Sequence, residues 1–151
     1  MVVYHLGKTK FARQLTGEGA KLNGGRWNLM GTPCLYTSET KALSVLEYAA
    51  NVQLEEMPDH LSITVYSLPV KSWKEFNVTD LPGNWQEIPV PEETKRWGSL
   101  HLQQAKYLAL KIPSIIIPSE FNYILNPLHA DFKKIKIKEV HSFSFDSRIK
   151  K

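Results

Sequence analysis

Hydrophobic and polar residues alternate in several short runs of this chain, and one stretch carries helical spacing. Val2 to Leu6 reads as a short opening strand, and Cys34-Leu-Tyr-Thr-Ser38 as a second. Thr40 to about Val52 is the clearest helix: Ser38 or Thr40 can cap it, and Ala42, Val45, Leu46 and Ala49 recur at helical spacing. Leu61 to Leu68 sets Ile63, Val65 and Leu68 against polar neighbours, as a half-buried strand does. A short helix is predicted around Ser99 to Lys106. Tyr107 to Ile112 and Ile115 to Ile117 are apolar runs split by Pro113-Ser114. Ile135 to Phe145 closes the sheet, and the break in its pattern at Glu139 and His141 predicts a bulge.

Between these elements, residues 69–97 show no periodicity but hold Trp73, Trp85, Trp97 and four prolines. A connection this long is often a lid or an Ω-type loop. Its tryptophans are expected to anchor it to the body. Strands with few helices predict an α+β class.

The chain has 151 residues, the size of one domain with one adequate core. No run approaches a membrane span, and no leader-like segment opens the chain. One cysteine, Cys34, excludes an internal disulfide framework and fits a reducing, cytoplasmic setting. The five histidines are scattered, and no Cys/His spacing resembles a metal site. The net charge is +4, with Lys133, Lys134, Lys136, Lys138, Arg148, Lys150 and Lys151 gathered late in the chain. Lys134, Lys136 and Lys138 alternate with Ile135 and Ile137, the solvated face of a strand, and no aromatic residues interleave them. Direct nucleic-acid binding is therefore not expected.

The chemistry-bearing stretch is Gly17 to Asn28, with four glycines in nine positions and Arg26 between Gly25 and Trp27. Exposed amides in such a turn can cup an anion, and arginine can grip a phosphate through two parallel hydrogen bonds. A plain hairpin loop with one solvated arginine explains the same composition. Neither G-x-G-x-x-G nor G-x-x-x-x-G-K-[ST] occurs, so a phosphate site here lies outside the common nucleotide folds. Glu47 projects about 40° around its helix from Leu43, on the border of the apolar face. It is either a carboxylate aimed into a cleft or a solvated helix-edge residue. Tyr36, eleven residues earlier on a strand, can share that cleft or be a core tyrosine. Ser114 lacks a G-x-S-x-G elbow and is not a hydrolase nucleophile.

Separated motifs in a fixed order carry a resemblance. Gly17-Glu-Gly-Ala, Gly24-Gly-Arg-Trp-Asn, Gly31-Thr-Pro, Leu35-Tyr-Thr-Ser, Ala42 and Glu47 are followed by Ile112-Pro-Ser-Ile-Ile-Ile-Pro, Asn122, Asn126-Pro and His129. Together they resemble the RES-domain family, nearly end to end, with residues 69–97 matching only loosely. The resemblance implies a single RES domain over 1–151. It also implies an ADP-ribosyltransferase-like fold with a central split antiparallel sheet flanked by helices. It implies the toxin of a bacterial type II toxin–antitoxin pair, partnered by an Xre-like antitoxin with a helix-turn-helix domain.

The implied activity is growth-inhibiting degradation of NAD, the substrate, by cleavage of the nicotinamide–ribose bond, with no cofactor or metal. The arginine, glutamate and serine that give the family its name map onto Arg26, Glu47 and Ser114, and Tyr36 matches a fourth active-site position. On that reading Glu47 stabilises an oxocarbenium-like transition state and Arg26 holds the pyrophosphate. Tyr36 stacks on nicotinamide, and Ser114 bonds the amide or ribose. Gly24, Gly25, Trp27 and His5 complete the expected NAD contacts. His5 stands where the family usually has arginine, and Asn23 where an aromatic residue is common. The acceptor is water, phosphate or a protein. An inactive nucleotide- or antitoxin-binding module is the alternative from a different class.

Overall fold

The computed structural model describes residues 1–149; Lys150 and Lys151 of the basic C-terminal cluster lie outside the described residues. Seven strands form one sheet: β1 (Val2–Lys8), β2 (Leu35–Ser38), β3 (Leu61–Ser67), β4 (Trp73–Glu75), β5 (Ala109–Pro113), β6 (Phe121–Leu125) and β7 (Lys136–Phe143). Their order is β4-β5-β6-β2-β1-β3-β7. The sheet is nearly two sheets. β1, β3 and β7 pair along their lengths, as do β5, β6 and β2, but β1 meets β2 at the single pair Tyr4↔Ser38. Beyond that pair the strands part. This is the split-sheet, ADP-ribosyltransferase-like α+β arrangement. It departs from all-antiparallel only at the edge, where β4 and β5 run parallel. A crossover through the helix α3 (Glu92–Gln103) makes that pairing possible.

Two further helices position the site. α2 (Lys41–Asn51) follows β2 directly, and the Thr40 hydroxyl accepts from Leu43 N at 3.0 Å. Its inward face is not the stripe expected from Ala42, Val45, Leu46 and Ala49. Ala42 and Leu46 are exposed, while Leu43 and Ser44 are buried and Val45 and Tyr48 pack on Leu6, Leu61 and Ile63. The large Tyr48 ring outweighs two alanines in choosing the face that docks. α1 (Glu18–Asn23) replaces the hairpin loop read from the glycines. Gly17 (φ 76°) opens it and Gly24 (φ 71°) closes it, conformations that glycine supplies without strain. At Gly17 a Cβ would also stand 2.7 Å from the Pro127 ring.

Several expectations shift. β3 is buried at every position from Leu61 to Tyr66, because both its faces are covered. α3 starts at Glu92, not near Ser99, and ends at Gln103. Its buried residues are Thr94, Gly98, Ser99 and Leu102, and a single leucine among small or polar residues does not show as a hydrophobic stripe. Residues 69–97 are not a lid of one piece: they contain β4, a 3-10 turn at Val78–Asp80 and the start of α3. Trp85 and Phe76 are core, and Trp73 and Trp97 pack against it, so the tryptophans do anchor this segment. Ile115 to Ile117 form a turn, and β6 was not anticipated. The bulge in β7 exists: pairing jumps from Val65↔Glu139 to Tyr66↔Ile137, leaving Lys138 as the extra residue.

Candidate active site

Glu47 leaves the middle of α2 and reaches the second half of the sheet. Its Oε1 accepts from Ser114 Oγ at 2.7 Å and from Asn122 Nδ2 at 2.7 Å. Nothing among the described residues donates to Oε2. Ser114 is fully buried in the turn after β5, where its oxygen also accepts from Ile116 N (3.0 Å) and Ile117 N (3.2 Å). A hydroxyl has one proton and two lone pairs, so Ser114 is saturated. It is a clamp on Glu47, with no bond left for a nicotinamide amide or a ribose. Asn122, on β6 opposite Ser38 of β2, accepts from Ser38 Oγ at 2.6 Å.

Arg26 follows α1 and is half-buried. Its Nη1 donates to Trp85 O (2.8 Å) and Glu87 O (3.0 Å). Three of its five N–H groups, on Nη2 and Nε, remain without a bond among the described residues. Burial pulls its pKa down from the usual value, opposed by the Glu47 carboxylate and by Tyr36. Of the three residues that the sequence grouped with Arg26, Glu47 and Tyr36 thus favour its charged form.

Tyr36 is fixed through its hydroxyl, which accepts from Trp27 N at 2.9 Å and donates to Asn28 Oδ1 at 2.6 Å. Burial raises its pKa well above the tyrosine range, so it remains a neutral phenol. A Cβ at Gly25 would lie 2.6 Å from that hydroxyl, which explains the glycine there. The amides of Gly24 and Gly25 donate to Ala20 O (2.8 Å) and Asn28 O (3.1 Å). The glycine loop consequently offers no free amides at these two positions. Trp27 is also displaced from the expected role: its ring is buried between Trp85 (centroids 6.2 Å) and Trp97 (5.4 Å).

His5 spans the split. Its Nδ1–H donates to Tyr36 O at 2.8 Å, tying β1 to β2 where the strands have ceased to pair. Burial lowers its pKa, so the ring is a neutral clasp rather than a phosphate grip. A cleft of about 680 Å³ opens along this split, with His5, Gly7, Thr64, Tyr36 and Gly24 among its lining. Asn23 lines it too, and its side chain donates to Gly19 O at 3.0 Å. Glu47, Ser114 and Arg26 do not line the cleft; Tyr36 lines it and also favours the charged form of Arg26. Cys34, at the same place, is a buried thiol pushed up to about 12. Among the described residues no cluster of His, Cys, Asp or Glu could hold a metal, and no helix is long and apolar enough to cross a membrane.

Comparison with known families decides what this arrangement belongs to: the RES domain matches residues 2–146. The chain belongs to the RES-domain family. A protein named Toxin Res from Photorhabdus laumondii is 34% identical over 154 residues, covering 100% of this chain and 98% of that one. The Prs ADP-ribosylating toxin of a Sphingobium species is 31% identical, covering 94% of this chain and 90% of that one. A Toxin Res of Yersinia enterocolitica is 30% identical, covering 99% and 100%. Among solved structures, the M. tuberculosis MbcT–MbcA toxin–antitoxin complex contains a chain of the same fold. Its TM-score is 0.74 at 10% identity, over 95% of this chain and 84% of that one. This RES chain is thus kin to toxins along its whole length.

The residues that sequence reasoning left without a role are Ser38 and Asn122. A signal existed for the second: asparagine is disfavoured in a strand, yet Asn122 stands between Phe121 and Tyr123. Ser38 looked only like a helix cap.

Proposed function

We propose that this RES-family protein is the toxin of a toxin–antitoxin pair and that it destroys NAD by breaking the nicotinamide–ribose bond. The observation that carries the reading is Glu47: one carboxylate oxygen is clamped by two donors and the other has no hydrogen-bond partner among the described residues, while its negative charge favours the charged form of Arg26. A fixed carboxylate and a separately anchored cation suit a substrate whose reacting ribose becomes positive and whose pyrophosphate is negative.

In this mechanism the C1′–N bond breaks with its electron pair going to the nicotinamide ring nitrogen, which leaves neutral. Positive charge develops on C1′ and the ribose oxygen, and the free Glu47 oxygen faces it. Arg26, steadied through Nη1 by the Trp85 and Glu87 carbonyls, presents its Nε–Nη2 edge to the pyrophosphate. Tyr36, immobile through both hydroxyl bonds, offers a ring face to nicotinamide. Ser114 acts through Glu47. Water attacking C1′ gives ADP-ribose and releases one proton; phosphate gives ADP-ribose 1″-phosphate.

One relative is named the Prs ADP-ribosylating toxin, and we keep a second reading in which a protein side chain is the acceptor. Mass spectrometry of products formed with NAD, in the presence and absence of phosphate and of candidate protein acceptors, separates the three. Release of nicotinamide is common to all; a folded protein that releases none refutes the reading. The partner we propose is an Xre-like antitoxin with a helix-turn-helix domain, whose C-terminal segment carries acidic residues and covers the entrance near Arg26. Full NAD turnover in a saturated complex would refute occlusion.

A further inference from the structure

We infer that Asn122, held by Ser38, is a positioning residue that fixes the carboxylate of Glu47 and selects which of its oxygens meets the substrate. The inference rests on the proposed role of Glu47 and adds two residues to it. The relay runs across three elements. Ser38 at the end of β2 donates to Asn122 Oδ1 (2.6 Å), and Asn122 Nδ2 on β6 donates to Glu47 Oε1 (2.7 Å) on α2. The orientation of the amide follows from chemistry. A flipped Asn122 would set its carbonyl oxygen 2.7 Å from a carboxylate oxygen, two acceptors face to face. Ser38 completes the choice by giving its proton to the carbonyl.

Ser114, in the turn after β5, and Asn122, on β6, donate to the same oxygen. One donor would leave Glu47 free to swing about that bond. Two donors converging on Oε1 fix the plane of the carboxylate and leave Oε2 as the oxygen without a donor among the described residues. The location matters as well. Ser38 forms the one pair joining β1 to β2, so the relay is anchored where the two halves of the sheet still touch. The relay therefore ties the Glu47 carboxylate to the point where β1 and β2 are joined.

The test uses the full chain and two readouts. In steady-state NAD cleavage, Asn122→Asp keeps the shape but turns the donor into an acceptor beside Glu47. A loss of roughly ten- to a hundredfold in kcat is expected, with KM little changed. Ser38→Ala, which only frees the amide, should lose less, and Ser38→Thr, which keeps a hydroxyl, should recover most of the rate. Equal kcat in wild type and Asn122→Asp, or a Ser38→Thr no better than Ser38→Ala, overturns the relay.

The second readout needs no activity. The Asn122 side-chain amide signal in a ¹⁵N spectrum, identified by its absence in Asn122→Ser, should move on Glu47→Gln and on Ser38→Ala but not on Lys133→Ala. An amide indifferent to Glu47 and Ser38 overturns the proposal. A wild type that releases no nicotinamide removes the reaction and leaves these shifts to decide the relay.

Discussion

Glu47→Gln tests the centre of the mechanism because the structure dictates how glutamine must sit. Ser114 Oγ and Asn122 Nδ2 both donate to the Oε1 position, at 2.7 Å each. Glutamine can satisfy two donors only by placing its carbonyl oxygen there. Its NH₂ then occupies the outward position that Oε2 held. The variant loses a negative charge facing the oxocarbenium-like ribose and gains a partly positive N–H in its place. Removing one well-placed electrostatic group costs about 3 kcal/mol, roughly a hundredfold in rate, and the reversed dipole adds to that. Folding should survive. Both hydrogen bonds persist, only as neutral ones, which costs about 1 kcal/mol or less and lowers the melting temperature by about 2–4 °C. Nicotinamide release under saturating NAD measures the first effect, and thermal unfolding the second. A folded Glu47→Gln protein that released nicotinamide at the wild-type rate would remove Glu47 from the chemistry.

Arg26→Lys is expected to weaken NAD or ADP-ribose binding in calorimetry, since lysine lacks the planar two-pronged edge. It should also raise hydrogen exchange around residues 85–87, whose carbonyls it anchors; unchanged affinity would make Arg26 purely structural. Gly98→Ala should destabilise by about 2–3 kcal/mol or more, read by denaturant unfolding, because its Cβ would lie 2.0 Å from the Trp27 carbonyl oxygen; a wild-type midpoint refutes the close helix packing. His5 has a lowered pKa, so the unfolded chain takes up a proton before the folded one, and stability falls as pH drops below the ordinary imidazole value of about 6.5. His5→Gln should flatten that slope relative to wild type in melts between about pH 7 and 5; parallel slopes would place the His5 ring in water.

How much of this was legible beforehand depended on what each element buries. β1, β2, β3, β7 and α2 announce themselves because each presents at least some large apolar residues at a regular period. α3 does not, since it meets the Trp27 backbone through Gly98 and its neighbours Thr94 and Ser99, and a contact made of small residues leaves no hydrophobic stripe. β6 hides for a related reason. Its five residues are bracketed by turns, and its one polar side chain, Asn122, points to chemistry rather than to solvent. The site followed the same rule. Arg26, Tyr36, Glu47 and Ser114 were found through the motifs they share with a family. Asn122 stood among the same motifs, but its bond to Glu47 did not show, because a hydrogen bond between residues 67 or 75 positions apart leaves no local trace.

The split in the sheet explains why those partners matter. A carboxylate on a helix that merely flanks a continuous sheet would be buried against it or turned to solvent. Here β1 and β2 touch only at Tyr4↔Ser38, and α2 springs from the strand just past that contact. Glu47 can then reach across to β6 and to the turn after β5, the two elements that supply its donors. The same parting opens the cleft beside Tyr36, with His5 holding its edges at a fixed width through one hydrogen bond. A closed sheet would have paired the Tyr36 carbonyl with a β1 amide and left no room for a ligand. Substituting the His5 clasp should therefore loosen the edges of β1 and β2, read as faster hydrogen exchange there, whereas breaking the Ser38–Asn122 relay should alter turnover, because one holds the opening and the other sets the carboxylate.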